Sequence, residues 1–418
     1  MATTDVRVLR RSSSRVRPGI KLQIDYWLLL IVGALLVIGM LMVYSTTFDD
    51  GILLFDDASF YLKRQFMAFG IGVVGCVIII QFDYHSLRKV SLPLLAVTIV
   101  GLFVLLFFGE AIFGARRGLN AGSYQPSEVA KVAALIYIAH WLSSKGDRIK
   151  DLTYGLFPFS VIVGFVCALI VGQPDLSTAA LLALSCFTLF FIAGADVKQF
   201  GILGAVAATV FLFLMLTLPY ARTRVDDYMT ALRDPIEGSY QLQQVLIALG
   251  TGNWFGVGLG EGTQKFGPLP AAHTDGVFAI LGEEAGFVGT MFVILLYGLM
   301  VWRGVVISRK ARDQFGFLLA IGVTCWLAFQ TIINIAVITA VIPFTGMPLP
   351  FLSYGGSSLV ITMIGVGILL SVSRDAVLTR NVQQRRPGRK PASESVVENF
   401  DMWRRDGRPR LSRPRRRR

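Results

Sequence analysis

Ten long apolar runs dominate the chain, and short polar or basic segments separate them. A helix needs about 20 apolar residues to cross the roughly 30 Å hydrocarbon core of a bilayer, so each run is predicted to be a transmembrane helix. The pattern therefore predicts an all-α polytopic membrane protein with ten transmembrane helices. The runs cover residues 26–45, 65–82, 90–108, 127–143, 153–171, 178–194, 200–219, 275–302, 316–338 and 355–373.

One further stretch, residues 241–259, is partly apolar but carries four interrupting glycines, Gly250, Gly252, Gly256 and Gly258. Because glycine disfavours a helix interior, we predict an interfacial segment here instead of a membrane span. It belongs to a large loop at 220–274 between the seventh and eighth predicted helices, which we expect on the extracytoplasmic side.

Composition supports a membrane protein. Hydrophobic residues make up 54% of the 418 residues and charged residues only 16%, more apolar surface than a soluble domain of this size can bury. All four cysteines lie in apolar runs without CxxC spacing, so neither a disulfide nor a zinc site is predicted. The first run is too long for a cleavable signal and lacks a cleavage site, so we interpret it as a retained span.

The net charge of +13 is concentrated in particular segments. Lys and Arg gather before the first predicted helix, after the second, fourth, sixth and eighth, and in a tail ending RLSRPRRRR. With ten helices these segments share one side, which the positive-inside rule assigns to the cytoplasm together with both termini. We predict a basic N-terminus at 1–24, a membrane domain at 25–374 and a disordered basic tail at 375–418. No nucleic-acid-reading motif accompanies the tail, so contact with anionic lipid is the preferred interpretation and no nucleic-acid partner is predicted.

The most informative polar stretch is 258–284. It places Asp275 at the mouth of an apolar run and Glu283 and Glu284 inside it. Carboxylates inside a membrane are expensive, which favours a functional role. The alternative, given equal weight, is that Thr274 or Asp275 caps the next helix and that both glutamates have structural partners.

Several other polar residues fall on the same predicted side. Glu128 and Lys131 are three residues apart on one helical face and can pair, either as a structural ion pair or to position a substrate. Arg116 and Arg117, in a glycine-flanked loop, suit a phosphate or pyrophosphate, with lipid headgroups as the alternative. Lys265 is a further candidate cation.

A glycine- and hydroxyl-rich loop, SYGGSS at 353–358, contains Ser353 and Ser357. It can present backbone N–H groups to a ligand at a helix start, or it can simply form a tight re-entrant turn. His273 lies two residues before Asp275 and can orient that acid or cap the helix.

The spacing of the acids limits the chemistry. Asp275 and Glu283 are eight residues apart, about 12 Å along a helix, beyond the roughly 10 Å of paired glycosidase carboxylates. Sugar chemistry here would therefore use a single base, which suits a pyrophosphate leaving group that needs no proton. Asp275 could then deprotonate an attacking hydroxyl.

An ordered series of motifs resembles the SEDS proteins (shape, elongation, division and sporulation), which include FtsW, RodA and SpoVE. The resemblance spans roughly 25–374, and the FtsW-like branch fits best. The motifs include GARR at 114–117, QPSEVAK at 125–131, QPDLSTA at 173–179, QKFGPLPAAHTD at 264–275, GEEAGF at 282–287 and NIAVITAVIPFTGMPLPFLSYGGSS at 334–358.

This resemblance implies a peptidoglycan glycosyltransferase that polymerises lipid II at the outer face of the cytoplasmic membrane, with cell division as the expected role. It implies that Asp275 is the essential acid and that Glu128, Lys131 and Asp175 line or support the cavity. It also implies a class B penicillin-binding protein in trans, among other divisome or elongasome membrane proteins. A lipid II flippase and a non-catalytic scaffold for that partner are the alternatives.

Three residues depart from the family pattern. Gly118 replaces a usual Trp, Ser177 a usual Gly, and Gly276 a usual Phe. None of these changes removes a charged candidate, but Gly276 is expected to loosen the helix start beside Asp275. No metal-ligand cluster stands out, although a divalent cation, Mg²⁺ or Mn²⁺, could help to hold a pyrophosphate.

Overall fold

The computed structural model describes residues 24–108, 110–112, 115–118, 125–234 and 239–384. Within these ranges the chain forms twelve α-helices and one antiparallel pair of short strands, β1 (Glu110–Ile112) and β2 (Ala115–Gly118). The helices are α1 Tyr26–Phe55, α2 Phe60–Gln81, α3 Ser86–Phe108, α4 Pro126–Lys145, α5 Phe157–Val171, α6 Leu176–Ile192, α7 Val197–Thr217, α8 Pro219–Arg233, α9 Tyr240–Gly252, α10 Val277–Arg309, α11 Gln314–Ile338 and α12 Gly356–Gln384.

Each of the ten predicted spans corresponds to a helix, namely α1 to α7 and α10 to α12. By length and composition, eight helical segments of the described chain can cross a membrane. The remaining two are α6, which is apolar but has only 17 residues, and α4, which carries Glu128 and Lys131 near its start. The all-α polytopic class is confirmed, while the count of ten membrane crossings stays a prediction.

Helix α10 shows the largest difference from the predicted spans, because the prediction was a single continuous helix. Its backbone breaks at Gly286, where φ is +66° and ψ is −166°. Residues 253–258 lie against the break: Phe287 N donates to Asn253 O at 2.9 Å, and Val257 N donates to Glu283 O at 2.9 Å. The inserted segment thus satisfies backbone groups that the break would leave unpaired, which a membrane protein requires.

Glycine makes this insertion possible. A Cβ atom added at Gly256 would lie 2.1 Å from Glu284 O, and one added at Gly286 would lie 2.3 Å from Gly256 N. The glycines of residues 241–259, on which the prediction of a non-spanning segment rests, therefore allow this segment to contact the backbone of α10 directly. The stretch forms α9 followed by this docking segment and is not among the candidate spans. Its interfacial position stays a prediction.

Side-chain contacts join the helix ends that carry the basic residues. Arg303 near the end of α10 pairs with Asp25 before α1. Arg88 of α3 pairs at 2.8 Å with Asp313, which caps α11. Because α10 begins at Val277, Asp275 lies at the opposite end of the bundle from these contacts. Which end faces the cytoplasm stays a prediction.

The chain divides into two units, Met1–Ala376 and Val377–Arg418. Helix α12 continues to Gln384, eleven residues beyond the predicted end of the last span at 373. The predicted N-terminal segment, apart from Ile24, and residues 385–418 of the predicted tail lie outside the described residues, so the predicted domain boundaries stay predictions.

Candidate functional site

Asp275 lies half-buried two residues before the first residue of α10. The capping position of this helix is Gly276, not Thr274 or Asp275 as the alternative interpretation had it. The backbone oxygen of Asp275 accepts a hydrogen bond from Asn334 Nδ2 of α11 at 3.3 Å, and the same amide donates to Met347 O at 2.7 Å. Helix α11 therefore holds both the Asp275 backbone and the loop before α12.

A glycine of that loop lies directly beside the Asp275 carboxylate. A Cβ atom added at Gly346 would stand 3.3 Å from Asp275 Oδ2 and 3.9 Å from Arg224 Nη2. Arg224, on α8, also donates through Nη1 to Thr345 O at 3.1 Å. The sequence does not distinguish Arg224, because it is one of several arginines that alternate with aspartates in residues 222–235.

Two of the departures from the family pattern can now be placed. Ser177, in the first turn of α6, donates its hydroxyl to Thr345 O at 2.8 Å and so adds a tether to the loop beside Asp275. Gly276 is buried, and an added Cβ atom there would lie 3.0 Å from Leu269 Cδ2. The neighbouring segment thus packs closely around this helix start, and the expected loosening by Gly276 stays a prediction.

The predicted pair of Glu128 and Lys131 forms and is confirmed. Lys131 Nζ lies 2.9 Å from Glu128 Oε1, and both side chains are at most 3% exposed. Lys131 also donates to Gln330 Oε1 at 3.3 Å, and its ammonium lies 5.3 Å from the centre of the Trp326 ring. Glu128 Oε2 is buried and has no hydrogen-bond partner among the described residues.

Two more predicted positions hold local structure together. Asp175 is 4% exposed and caps α6 by accepting from Thr178 N at 3.1 Å. Ser353 accepts a hydrogen bond from Leu349 N at 2.8 Å, which closes the turn before α12 and supports the tight-turn interpretation. Ser357 is half-buried in the first turn of α12.

Glu283 and Glu284 have structural partners, as the alternative interpretation held. Glu283 accepts from Thr263 N at 2.8 Å and from Gln264 N at 3.2 Å. Glu284 Oε1 lies 2.6 Å from Lys265 Nζ. Both glutamates are 1% exposed, so they fasten the segment before Asp275 to the first part of α10.

Lys265 is consequently a buried member of an ion pair. Its ammonium also donates to Gly260 O at 2.6 Å and to Ser45 Oγ of α1 at 2.8 Å. These contacts give the lysine a structural role, and a role in binding substrate stays a prediction.

His273 belongs to an aromatic cluster that joins three distant segments. Its ring centre lies 5.9 Å from that of Tyr61 in α2 and 5.8 Å from that of Tyr354 before α12. Burial lowers the pKa of His273, although the charge of Asp50 opposes this shift, so the imidazole is neutral near pH 7. His273 therefore links the loops before α10 and α12 and does not cap a helix.

Arg116 and Arg117 lie in strand β2, in place of the predicted glycine-flanked loop. Their side chains lie outside the described residues, so their predicted role toward a phosphate remains a prediction. Among the described side chains, no three His, Cys, Asp or Glu residues gather as a metal site.

The FtsW, RodA and SpoVE family profile, described as "Cell cycle protein", matches residues 26–377. The chain is 40% identical over 354 residues to stage V sporulation protein E of Bacillus subtilis, covering 84% of this chain and 97% of that protein. It is 37% identical over 355 residues to a probable peptidoglycan glycosyltransferase FtsW of Geobacter sp. strain M18, covering 84% and 96%.

Solved structures agree with these relatives. A peptidoglycan synthase complex, described as coordinating polymerization and crosslinking, includes a chain that is 28% identical with a TM-score of 0.70, covering 84% of this chain and 98% of that one. The rod shape determining protein RodA of Thermus thermophilus is 26% identical with a TM-score of 0.63, covering 84% and 97%.

Proposed function

Since the chain belongs to the FtsW, RodA and SpoVE family of cell cycle proteins, we propose that Asp275 is its catalytic base. The chain is a multi-pass membrane protein and a peptidoglycan glycosyltransferase, and we propose that it polymerises lipid II into glycan strands. The assignment of residues to steps of that reaction is our proposal.

The proposed step is a displacement at the anomeric carbon of the donor MurNAc. The 4-hydroxyl oxygen of the acceptor GlcNAc forms the new bond to that carbon while its proton passes to the Asp275 carboxylate. The bond from the anomeric carbon to the diphosphate breaks, and undecaprenyl diphosphate leaves with the electron pair. Because the leaving group departs as an anion, one base is sufficient.

The placement of Asp275 carries this proposal. Its carboxylate is half-buried and lies beside Gly346, a residue with no side chain to fill the adjacent space. Its backbone is held by Asn334. Asp275 is half-buried, whereas Glu283 and Glu284 are 1% exposed. Of these three acids, Asp275 is therefore the one that a substrate hydroxyl can reach.

Glu128 and Lys131 are proposed to line the substrate cavity together with Asp175. A charged pair is expensive inside a membrane protein, and this pair leaves one buried carboxylate oxygen, Glu128 Oε2, without a described partner. A sugar hydroxyl is a suitable donor to that oxygen. Arg116 and Arg117 are proposed to contact the diphosphate.

The proposed setting is the bacterial cytoplasmic membrane, with Asp275 on its outer face and both termini in the cytoplasm. A class B penicillin-binding protein is the proposed partner, because a structural relative belongs to a complex that couples polymerization with crosslinking. Other divisome proteins are expected, consistent with a role in division. A requirement for Mg²⁺ or Mn²⁺ stays a prediction, since the described side chains form no three-ligand cluster, and no step is assigned to such an ion.

A reconstituted assay tests the proposal. Purified chain, with its penicillin-binding partner, is given labelled lipid II, and glycan strands are separated by gel electrophoresis. Wild type is expected to form strands and Asp275→Asn to form none. Asp226→Asn is a matched control, because that carboxylate is exposed on α8 and pairs with Arg222. Polymerisation by Asp275→Asn at the wild-type rate would show that the base is wrongly assigned.

The orientation is tested separately by cysteine labelling. In a background without the four native cysteines, Thr274→Cys is expected to react with a membrane-impermeant maleimide added to intact spheroplasts. Lys310→Cys, at the other end of α10, is expected to react only after lysis. The reverse pattern would place the site on the cytoplasmic side.

A further inference from the structure

We propose that Gln330 and Asn334 are positioning residues for glycosyl transfer. Together they tie the buried ion pair of α4 to the backbone of the catalytic base, through the loop before α12. The inference rests on the proposed function, because it names residues that place Asp275 for that reaction. Neither residue is proposed to touch the substrate.

The two amides lie one turn apart in the interior of α11. Gln330 is 1% exposed and Asn334 is 2% exposed, and residues four apart share one face of a helix. A buried amide costs free energy unless its polar atoms are bonded. Because a primary amide both donates and accepts, each of these side chains can join other segments of the chain.

Gln330 is bonded at both ends of its amide. Its Oε1 accepts from Lys131 Nζ at 3.3 Å and from Trp326 Nε1 at 2.9 Å. Its Nε2 donates to Pro348 O at 2.9 Å. The indole therefore fixes the orientation of the amide, and the amide connects the lysine of the α4 pair with the loop before α12.

Asn334 continues the connection from that loop to the base. Its Nδ2 donates to Met347 O at 2.7 Å and to Asp275 O at 3.3 Å. Met347 and Pro348 are adjacent, so the two amides hold consecutive carbonyl groups. Asn334 Oδ1 is buried and has no hydrogen-bond partner among the described residues. The amide thus carries a cost that its donor contacts must offset, and one of these contacts reaches Asp275.

The position of a general base limits the rate that it supports. A base must lie within hydrogen-bond distance of the proton that it removes, and a displacement of about 1 Å can cost about 100-fold in rate. Asp275 lies two residues before the start of α10, outside the regular helix. Contacts from other segments, including the one from Asn334, therefore contribute to its position.

The test separates positioning from folding. Asn334→Leu and Gln330→Met keep the approximate size of each side chain but remove the amide donor. Turnover per folded molecule and KM for lipid II are measured in the reconstituted assay. We expect each variant to lose at least about tenfold in kcat. KM should change by less than about threefold, because the lost contact acts on the reacting geometry and not on ground-state binding.

Thr331→Val is the matched control. Thr331 lies between the two amides on α11, is 5% exposed and donates its hydroxyl to Leu327 O within the helix at 2.9 Å. It should keep the wild-type kcat per folded molecule. Wild-type kcat in Asn334→Leu, a raised KM at unchanged kcat, or an equal loss in Thr331→Val would overturn the proposal. If Asn334→Leu does not fold, Gln330→Met decides by the same measurement.

A double-variant cycle tests the connection to the α4 pair. If the amides join the two places, Glu128→Gln combined with Asn334→Leu lowers kcat less than the product of the two single losses, by at least about threefold. The second substitution then acts on a connection that the first has already broken. Single losses that simply multiply would show that the pair and Asn334 act independently, which would overturn the connection.

The proposed function can fail separately. If wild type polymerises, Asp275→Asn does not, and both amide variants behave as wild type, only the positioning role is lost. If wild type forms no strands from lipid II, the proposed function itself fails.

Discussion

The acids on either side of the α10 start occupy very different surroundings. Asp275, just before the helix, is half-buried beside Gly346 and Arg224. Glu283 and Glu284, two turns into the helix, are 1% exposed and bind Thr263, Gln264 and Lys265. Ten residues thus contain an acid at the edge of the protein interior and two acids within it.

The difference shows that burial alone does not identify a reacting acid. Glu283 accepts from backbone N–H groups, and Glu284 pairs with Lys265 through Oε1, while Glu284 Oε2 is buried without a partner among the described residues. Glu283 and Glu284 hold residues 263–265 against α10 while residues 253–258 fill its break. Glu283 and Glu284 therefore stabilise the segment that precedes Asp275.

The largest effect on stability is expected from Glu284→Ala. It leaves the Lys265 ammonium buried without its carboxylate, which costs about 3–5 kcal/mol. The thermal unfolding midpoint of the protein in detergent measures this. The double variant Lys265→Met with Glu284→Leu should recover much of the loss, since it removes both charges. An unchanged midpoint in the single variant would mean that the pair does not fasten the loop.

A smaller loss is expected where the two backbones touch. Gly286→Ala forces a side chain into a conformation that glycine alone adopts easily, and we expect about 1–3 kcal/mol of destabilisation, read from the same midpoint. Gly298→Ala is the matched control on the same helix, because an added Cβ atom there meets nothing within 4 Å. Equal midpoints for the two variants would argue against the insertion.

Glu128→Gln tests an acid that combines a structural ion pair with a proposed contact to substrate. It should lower polymerisation several-fold while destabilising the protein less than Glu284→Ala does, because a glutamine amide oxygen can still accept a hydrogen bond from Lys131, as that of Gln330 does. Val129→Ala, its neighbour on α4, should leave polymerisation nearly unchanged. Equal effects of the two variants would reduce the Glu128 pair to a structural role.

The smallest effect is expected at an exposed pair. Lys63 and Asp57 lie 2.7 Å apart with side chains 66% and 36% exposed. Hydrogen bonds from Lys63 and Ser59 lower the pKa of Asp57 to about 2. Lys63→Ala should raise that pKa without moving the midpoint at pH 7, because solvent screens exposed pairs. A large drop in the midpoint would show that this pair stabilises the protein despite its exposure to solvent.

Most of the helices could be predicted from the sequence, because a long apolar run is typical of a membrane-spanning helix. The break in α10 was not predictable, because its cause lies elsewhere in the chain. Gly286 lies inside a run that hydropathy predicts to be one continuous span, and only the approach of residues 253–258 explains the interruption.

The candidate site was predictable where its partners are close in sequence. Glu128 and Lys131 share a helical face three residues apart, so their pairing followed from spacing. The contact of Glu284 with Ser45 spans 239 residues, and that of Arg224 with Thr345 spans 121. Periodicity carries no information over such separations, which is why Arg224, Asn334 and Gln330 were missed.

The most direct test measures Asp275→Asn and Glu283→Gln side by side, recording lipid II turnover per folded molecule and the unfolding midpoint. The proposed role of Asp275 predicts that Asp275→Asn loses at least about 100-fold in turnover per folded molecule. It predicts that Glu283→Gln keeps its turnover and unfolds at a lower temperature. Wild-type turnover in Asp275→Asn, or lost turnover in Glu283→Gln at an unchanged midpoint, would contradict it.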